Sequence, residues 1–361
     1  MNKAIAQGYP RYLVELALLL PVVMMLLIAS NHALAAKVPD LYQVSVPIAD
    51  QSQNAKDGAL GRALSEVVVK VTGRKDALAL PSVEKALTEA QKYVQSFSYD
   101  RDSSLIEPTL ELKARFDAGA VNQLLRDNDQ AIWDANRPDT LVWIAVEKNR
   151  RRTIEKDSPD SDWVNALKFT MSERSLPLTF PLLDFEDETS ISAVDVWGLF
   201  ADRLIQASRR YGSESVLAGR LRQTDSRYNG RLVLLFKGHR ADAEITDLSS
   251  EELAVAVANL VGTTLSEHYG VKSGISDEHP KLIVENILST EDYAGVVQYL
   301  SDLTVVRDVT VTRISGNRIE LELKIDGTVT QLKDFITLGR KLRSSEELTS
   351  DLALNYFWQG N

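Results

Sequence analysis

Residues 317–326, NRIELELKID, set Ile319, Leu321, Leu323 and Ile325 in strict alternation with Glu320, Glu322, Lys324 and Asp326. A period of two predicts a strand with one face buried and the other in water. Working outward, Gly316-Asn317 marks a turn and Val306–Ile314 the partner strand. Ser289 and Asp292 precede Tyr293, Val296, Val297 and Leu300, which predicts a capped amphipathic helix. Leu332, Phe335 and Ile336 predict a second helix, stopped by Gly339. With Leu282–Ile287 as first strand and Leu352–Trp358 as last, residues 280–361 read β-α-β-β-α-β, a ferredoxin-like domain.

Two polar stretches ending in proline, Lys272–Pro280 and Asn128–Pro138, divide what precedes it. In residues 138–271, Leu141–Val146 is apolar without alternation, as in a strand covered on both faces. Trp197, Phe200, Ala201, Leu204, Ile205 and Ser208 predict one long helix, and Ser215–Ala218 a strand. Asn229-Gly230 predicts a hairpin turn, with Leu232–Lys237 returning. Ser249 and Glu252 open a closing helix with Leu253, Val257, Leu260, Val261 and Leu265 on one face, so this domain is α/β. Residues 37–130 begin with a strand at Leu41–Ile48. A helix carrying Leu60, Leu64, Val67, Val68 and Val71 follows, stopped by Gly73. Pro81 opens a second helix with the stripe Val83, Leu87, Ala90 and Val94; strands at Val94–Arg101 and Ile106–Phe116 and a short helix from Asp117 complete β-α-α-β-β-α. The fold class is therefore α+β and α/β in three small mixed domains.

Ahead of them stands LVELALLLPVVMMLLIA, residues 13–29, preceded by Lys3 and Arg11 and followed by Ala33-Leu34-Ala35-Ala36. A basic start, an apolar run and an A-x-A tripeptide predict an export signal over residues 1–36. Cleavage is expected after Ala35 or Ala36, giving a soluble periplasmic or extracytoplasmic protein. Uncleaved, the run becomes a membrane anchor and residues 13–29 are the membrane contact, although Glu15 and Pro21 weaken a span.

The chain has no cysteine, so disulfides, thiolate metal sites and a lipid-modified cysteine are excluded. With 41 Lys and Arg against 51 Asp and Glu, its net charge of −10 argues against a nucleic-acid partner. None of the four histidines pairs with another at metal-ligand spacing, and no nucleophile elbow, phosphate loop or dinucleotide fingerprint occurs. His268 falls on an apolar helix face, where packing is the plain reading. No catalytic residue and no cofactor is expected. The sharpest polar cluster is Asp184, Glu186, Asp187 and Glu188, after the apolar run Leu176–Leu183. Carboxylates at the end of a buried strand suit a divalent cation or acid–base work. The competing reading is an acidic turn capping a helix that starts near Ser190. Lys148 and Arg150–Arg152 form a basic run, read as a solvated loop or as a local anion contact. Arg209, Arg210 and Tyr211 with Arg220 and Arg222 are candidates for one basic surface.

The stretches LYQVSVPIADQS (41–52), LSEVVVKVTGRKD (64–76), LPLTFPLLDFEDE (176–188) and DVWGLFADRLIQASRRYGSESVLAGRL (195–221) resemble an exported family known as domain of unknown function two-zero-six-six. That resemblance implies no activity and no catalytic residue. More loosely, the first domain is similar in element order to the POTRA modules of envelope assembly proteins. The α/β domain at 138–271 resembles the one shared by the curli secretion lipoprotein and the periplasmic Tol propeller protein. The expectation is an uncharacterised, non-catalytic interaction or assembly protein of the envelope, its partners other envelope proteins. Two alternatives are a divalent-ion-dependent enzyme or ion site centred on Asp184–Glu188, and a membrane-tethered scaffold.

Overall fold

The computed structural model describes residues 40–102, 109–272, 274, 278–345 and 353–360. The apolar run 13–29, the cleavage positions Ala35 and Ala36, and the start of the strand expected from Ile106 lie outside the described residues. Three sheets follow one another along the chain.

The first is antiparallel, in the order β1 (Gln43–Pro47), β3 (Thr109–Phe116), β2 (Val94–Asp102). Helix α1 (Gln53–Thr72) covers it. The Ser52 hydroxyl accepts from Ala55 N, and Gly73 at φ 68° closes the helix by donating to Val69 O. Leu60, Leu64, Val67, Val68 and Val71 are all wholly buried, as their spacing requires. Helix α2 (Pro81–Thr88) is shorter than its expected stripe. It gives way to a 3-10 turn at Ala90–Tyr93, and Val94 is the first residue of β2. Helix α3 (Ala118–Arg126) is capped by Asp117 as expected.

The second sheet runs β5 (Arg151–Ile154), β4 (Thr140–Lys148), β7 (Ser215–Thr224), β8 (Arg227–Phe236), β9 (His239–Leu248), with the short β6 (Leu178–Thr179) also beside β4. Strand β4 is buried on both faces. Val142, Ile144 and Val146 join the core under α4 (Asp162–Glu173) and α8 (Ser250–Tyr269), while Leu141, Trp143 and Ala145 join a separate core. That second core lies under α6 (Ala193–Trp197) and α7 (Ala201–Ser208), which follow α5 (Phe185–Ser190). Two expectations are corrected here. The single helix expected across Trp197–Ser208 is broken at Gly198–Phe200, where Leu199 takes φ 53°, and the break leaves Phe200 and Ile205 exposed. The hairpin turn is at Asp225-Ser226, with Asp225 at φ 54°; Asn229 and Gly230 lie inside β8. Gly230 is required there because a Cβ would strike the Arg220 carbonyl across the ladder.

The third sheet has the order β11 (Val306–Ser315), β12 (Arg318–Ile325), β10 (Lys281–Glu285), β14 (Leu354–Trp358), β13 (Leu342–Ser344). Helices α9 (Thr290–Ser301) and α10 (Val329–Gly339) link its strands. The expected β-α-β-β-α-β order is present, and β13 adds a fifth strand. Strand β13 pairs antiparallel with β14, and β14 runs parallel to β10. Helix α10 keeps Gly339 in its last turn, and Arg340 makes the left-handed step at φ 52°. Ile319, Leu321, Leu323 and Ile325 are buried as the alternation demands.

The polar stretch between the first two sheets is firmly anchored. Trp133 and Arg137 within it are wholly buried, and Ile132 exchanges two 2.9 Å backbone hydrogen bonds with Val271. Arg137 donates to the carbonyls of Asp134 (3.0 Å), Arg174 (3.1 Å), Ser175 (3.3 Å), Trp133 (3.4 Å) and Lys70, and its guanidinium stacks 4.2 Å from the Trp133 ring. One side chain thereby joins the end of α1 to the end of α4. Between the second and third sheets, Gln331 donates to His268 O (3.0 Å) and Gly270 O (3.1 Å), and His268 Nε2 lies 2.7 Å from Asp334 Oδ2. Among the described residues no helix is long and apolar enough to cross a membrane.

Candidate functional site

The acidic segment caps a helix, as the competing reading expected, but that helix starts at Phe185 and ends at Ser190. Strand β6 is only two residues long, and the carboxylates lie at the start of α5, with Asp184 as its N-cap accepting from Asp187 N at 3.1 Å. Asp184 then grips Arg210 with both oxygens, at 2.6 and 2.8 Å. Asp187, its side chain wholly buried, accepts from Arg210 (3.0 Å), from Leu183 N (2.9 Å) and from the Tyr211 hydroxyl. Glu186 lies 3.5 Å from the same guanidinium. The Arg210 pair holds Asp184 well below the usual carboxylate range, and burial together with Asp187 pushes Tyr211 up. A planar cation with five donors fills the place an ion would take. Among the described residues no group of three or more His, Asp or Glu side chains is arranged to hold a metal.

The other basic candidates are held by different partners, Arg210 by Asp184 and Asp187 and Arg222 by Glu147. Arg210 precedes β7, while Arg222 lies seven residues along that strand, about 23 Å from Ser215 at its start at ~3.3 Å per residue. Arg222 and Arg152 share Glu147, each at 2.9 Å, and Arg152 stacks 4.1 Å from Trp197. The basic run is a strand–turn–strand corner: Lys148 ends β4, Asn149 and Arg150 make the left-handed turn, and Arg151 and Arg152 open β5.

Unmet polar groups are found instead in a groove of about 610 Å³ between the first two sheets. Its first wall is Ser45 and Pro47 of β1, Glu111 of β3, and Ser65, Glu66 and Val69 of α1, with Lys75 and Leu78 beyond. The second wall is Phe169, Thr170, Glu173 and Arg174 from the end of α4, with Val255 of α8. Arg137 fixes the backbone of this corner by binding the carbonyls of Lys70 and Arg174 together. Glu66 Oε2 and Arg174 Nη1 are both buried and have no hydrogen-bond partner. Burial, reinforced by Glu173, pushes Glu66 up to about 7, and burial pushes Arg174 and nearby Lys70 down. Phe169 is 70% exposed in the same groove. A cavity with a perturbed carboxyl, unmet donors and acceptors and an open aromatic ring is the default signature of a binding site.

Another cavity, of about 450 Å³, is lined by Arg74, Asp129, Lys272 and Gln331 among others, but its charges are spent on one another. Arg74 pairs with Asp76 at 2.6 Å and Glu267 at 3.2 Å.

Sequence reasoning missed the groove. The signal for its second wall was present, since Ser161 followed by Trp163, Val164, Leu167 and Met171 is a capped helical stripe. Glu66 carried no signal, as a single acid beside a buried stripe reads as ordinary surface.

The sequence profile of a family described as Domain of unknown function (DUF8605) matches residues 35–134. That stretch holds the first sheet, its helices and the first wall of the groove. No curated protein and no solved structure matches the chain.

Proposed function

We propose that this is an exported, non-catalytic interaction or assembly protein of the cell envelope, built of domains at 37–130, 138–271 and 280–361, and that it grips a partner protein in the groove between the first two. The observation that carries this reading is the pair of buried, unpartnered atoms, Glu66 Oε2 and Arg174 Nη1, on opposite walls beside exposed Phe169. Native proteins leave few such atoms unmet, so a site that gathers two of them is prepared for a ligand. The apolar run at 13–29 and the resemblance to domain of unknown function two-zero-six-six support export, with residues 13–29 as tether where the signal is retained.

A photo-crosslinking side chain at position 169, in living cells of the native host, tests the reading against the same group at exposed Lys333 on α10. A recurrent protein adduct from 169, absent from 333 and diminished by Glu66→Gln, is the expected result. Equal adducts from both positions would contradict it.

A further inference from the structure

We propose that the groove selects an extended partner segment in which a lysine or arginine adjoins an apolar side chain, with the cation held between Glu66 and Glu173. This rests on the groove being the partner site and adds what that site recognises.

The two unmet atoms are of opposite sense. Glu66 Oε2 accepts and Arg174 Nη1 donates, and both residues line the one groove, so an occupant that brings a donor and an acceptor suits it. A peptide does so, offering a cationic side chain to the carboxylate and a main-chain carbonyl to the guanidinium. The charge pattern fixes the sign of that side chain. Among the charged groups that line the groove, Glu66, Glu111 and Glu173 outnumber Lys75 and Arg174, and Glu173 adds to the cost that burial sets on ionising Glu66, with Lys70 and Arg62 acting against it. A cation between the two carboxylates relieves their repulsion, and an anion there would add to it. The acidic balance of the whole chain, −10, favours approach of the same kind of partner. Phe169 and Val255, 70% and 36% exposed, supply the apolar ledge on the second wall. A lone amine would leave both that ledge and Arg174 Nη1 unused. The volume of about 610 Å³ falls within the usual range of ligand pockets.

The test uses the purified full chain and fluorescent, end-blocked hexapeptides with a lysine–leucine, glutamate–leucine or lysine–serine centre, with spermidine and N-acetyl-lysine amide as free amines. The lysine–leucine peptide is expected to bind, with every other probe on the order of tenfold weaker or worse. Glu66→Gln and Phe169→Ala should each weaken it by about tenfold; the exposed position of Phe169 makes loss of fold an inadequate explanation for that variant. Equal binding of the glutamate–leucine peptide, equal binding of spermidine, or no binding of any peptide would overturn the proposal. If the adduct from position 169 persists in any of those cases, the ligand chemistry fails and the groove's function stands; if it is absent too, both fail.

Discussion

The acidic segment Asp184–Glu188 and the groove at Glu66 are opposites in what they advertise and what they lack. The first crowds four carboxylates into five residues, and Arg210, Tyr211 and backbone amides meet the demands of Asp184 and Asp187. The second has one inconspicuous glutamate on a helix flank, and its Oε2 meets nothing. Density of charge along a chain measures opportunity for pairing, whereas function needs charge that folding leaves unpaired. A dense cluster close to a flexible cation tends to satisfy itself. A single acid at the seam between two sheets depends on what the facing wall brings, and here that wall brings Glu173 and an arginine already drawn into the protein.

The costliest substitution falls at the clasp beneath the groove. Arg137→Leu strips donors from carbonyls at the ends of α1 and α4 and in the segment between the first two sheets, and should cost about 3–5 kcal/mol in urea unfolding. A loss below about 1 kcal/mol would show that the walls are held some other way. Next comes the self-satisfied cluster: Arg210→Ala leaves the buried Asp187 carboxylate short of its cation, for a loss of about 2 kcal/mol. Asp184→Asn with Asp187→Asn should lower the thermal midpoint likewise, while calcium leaves the wild-type midpoint unmoved; a calcium-dependent rise would restore the ion reading.

A smaller effect separates the two regions by pH. Glu66 holds its proton more tightly in the folded chain, at about 7 against an ordinary 4.5. The stability this contributes is fully present below the ordinary value and is lost as pH rises through about 7. Glu66→Gln should therefore raise the thermal midpoint at about pH 8 and flatten its decline from pH 5. Smallest of all, Phe169→Ala should move stability by no more than about 0.5 kcal/mol, because the ring is mostly in solvent. A large loss would make Phe169 a packing residue and remove the ledge from the groove.

Local signals carried most of the fold. Gly73, Asp117, the Ser249/Glu252 and Ser289/Asp292 boxes and the alternation through Ile319–Ile325 act within a few residues of themselves, and each stands where its spacing put it. The misreadings came where distant contacts decide. Asn229-Gly230 has turn chemistry, yet the glycine is needed for close approach of Arg220 across the sheet. The apolar positions from Trp197 to Ser208 suit one helix, but covering the sheet requires a break at Leu199. Strands β5, β9 and β13 are edge strands with weak alternation. The groove was least legible, since its walls come from residues about a hundred positions apart, and what marks it is an absence of partners.

Glu66 tests most directly whether the groove, and not the acidic segment, holds polar groups left unmet by folding. A side-chain carboxyl carbon titration of Glu66 by NMR, on the full chain with and without the lysine–leucine peptide, should give a midpoint near 7 that falls when the peptide binds. A midpoint at the ordinary 4.5, unchanged by peptide, would show that water already satisfies Glu66 and would contradict the account.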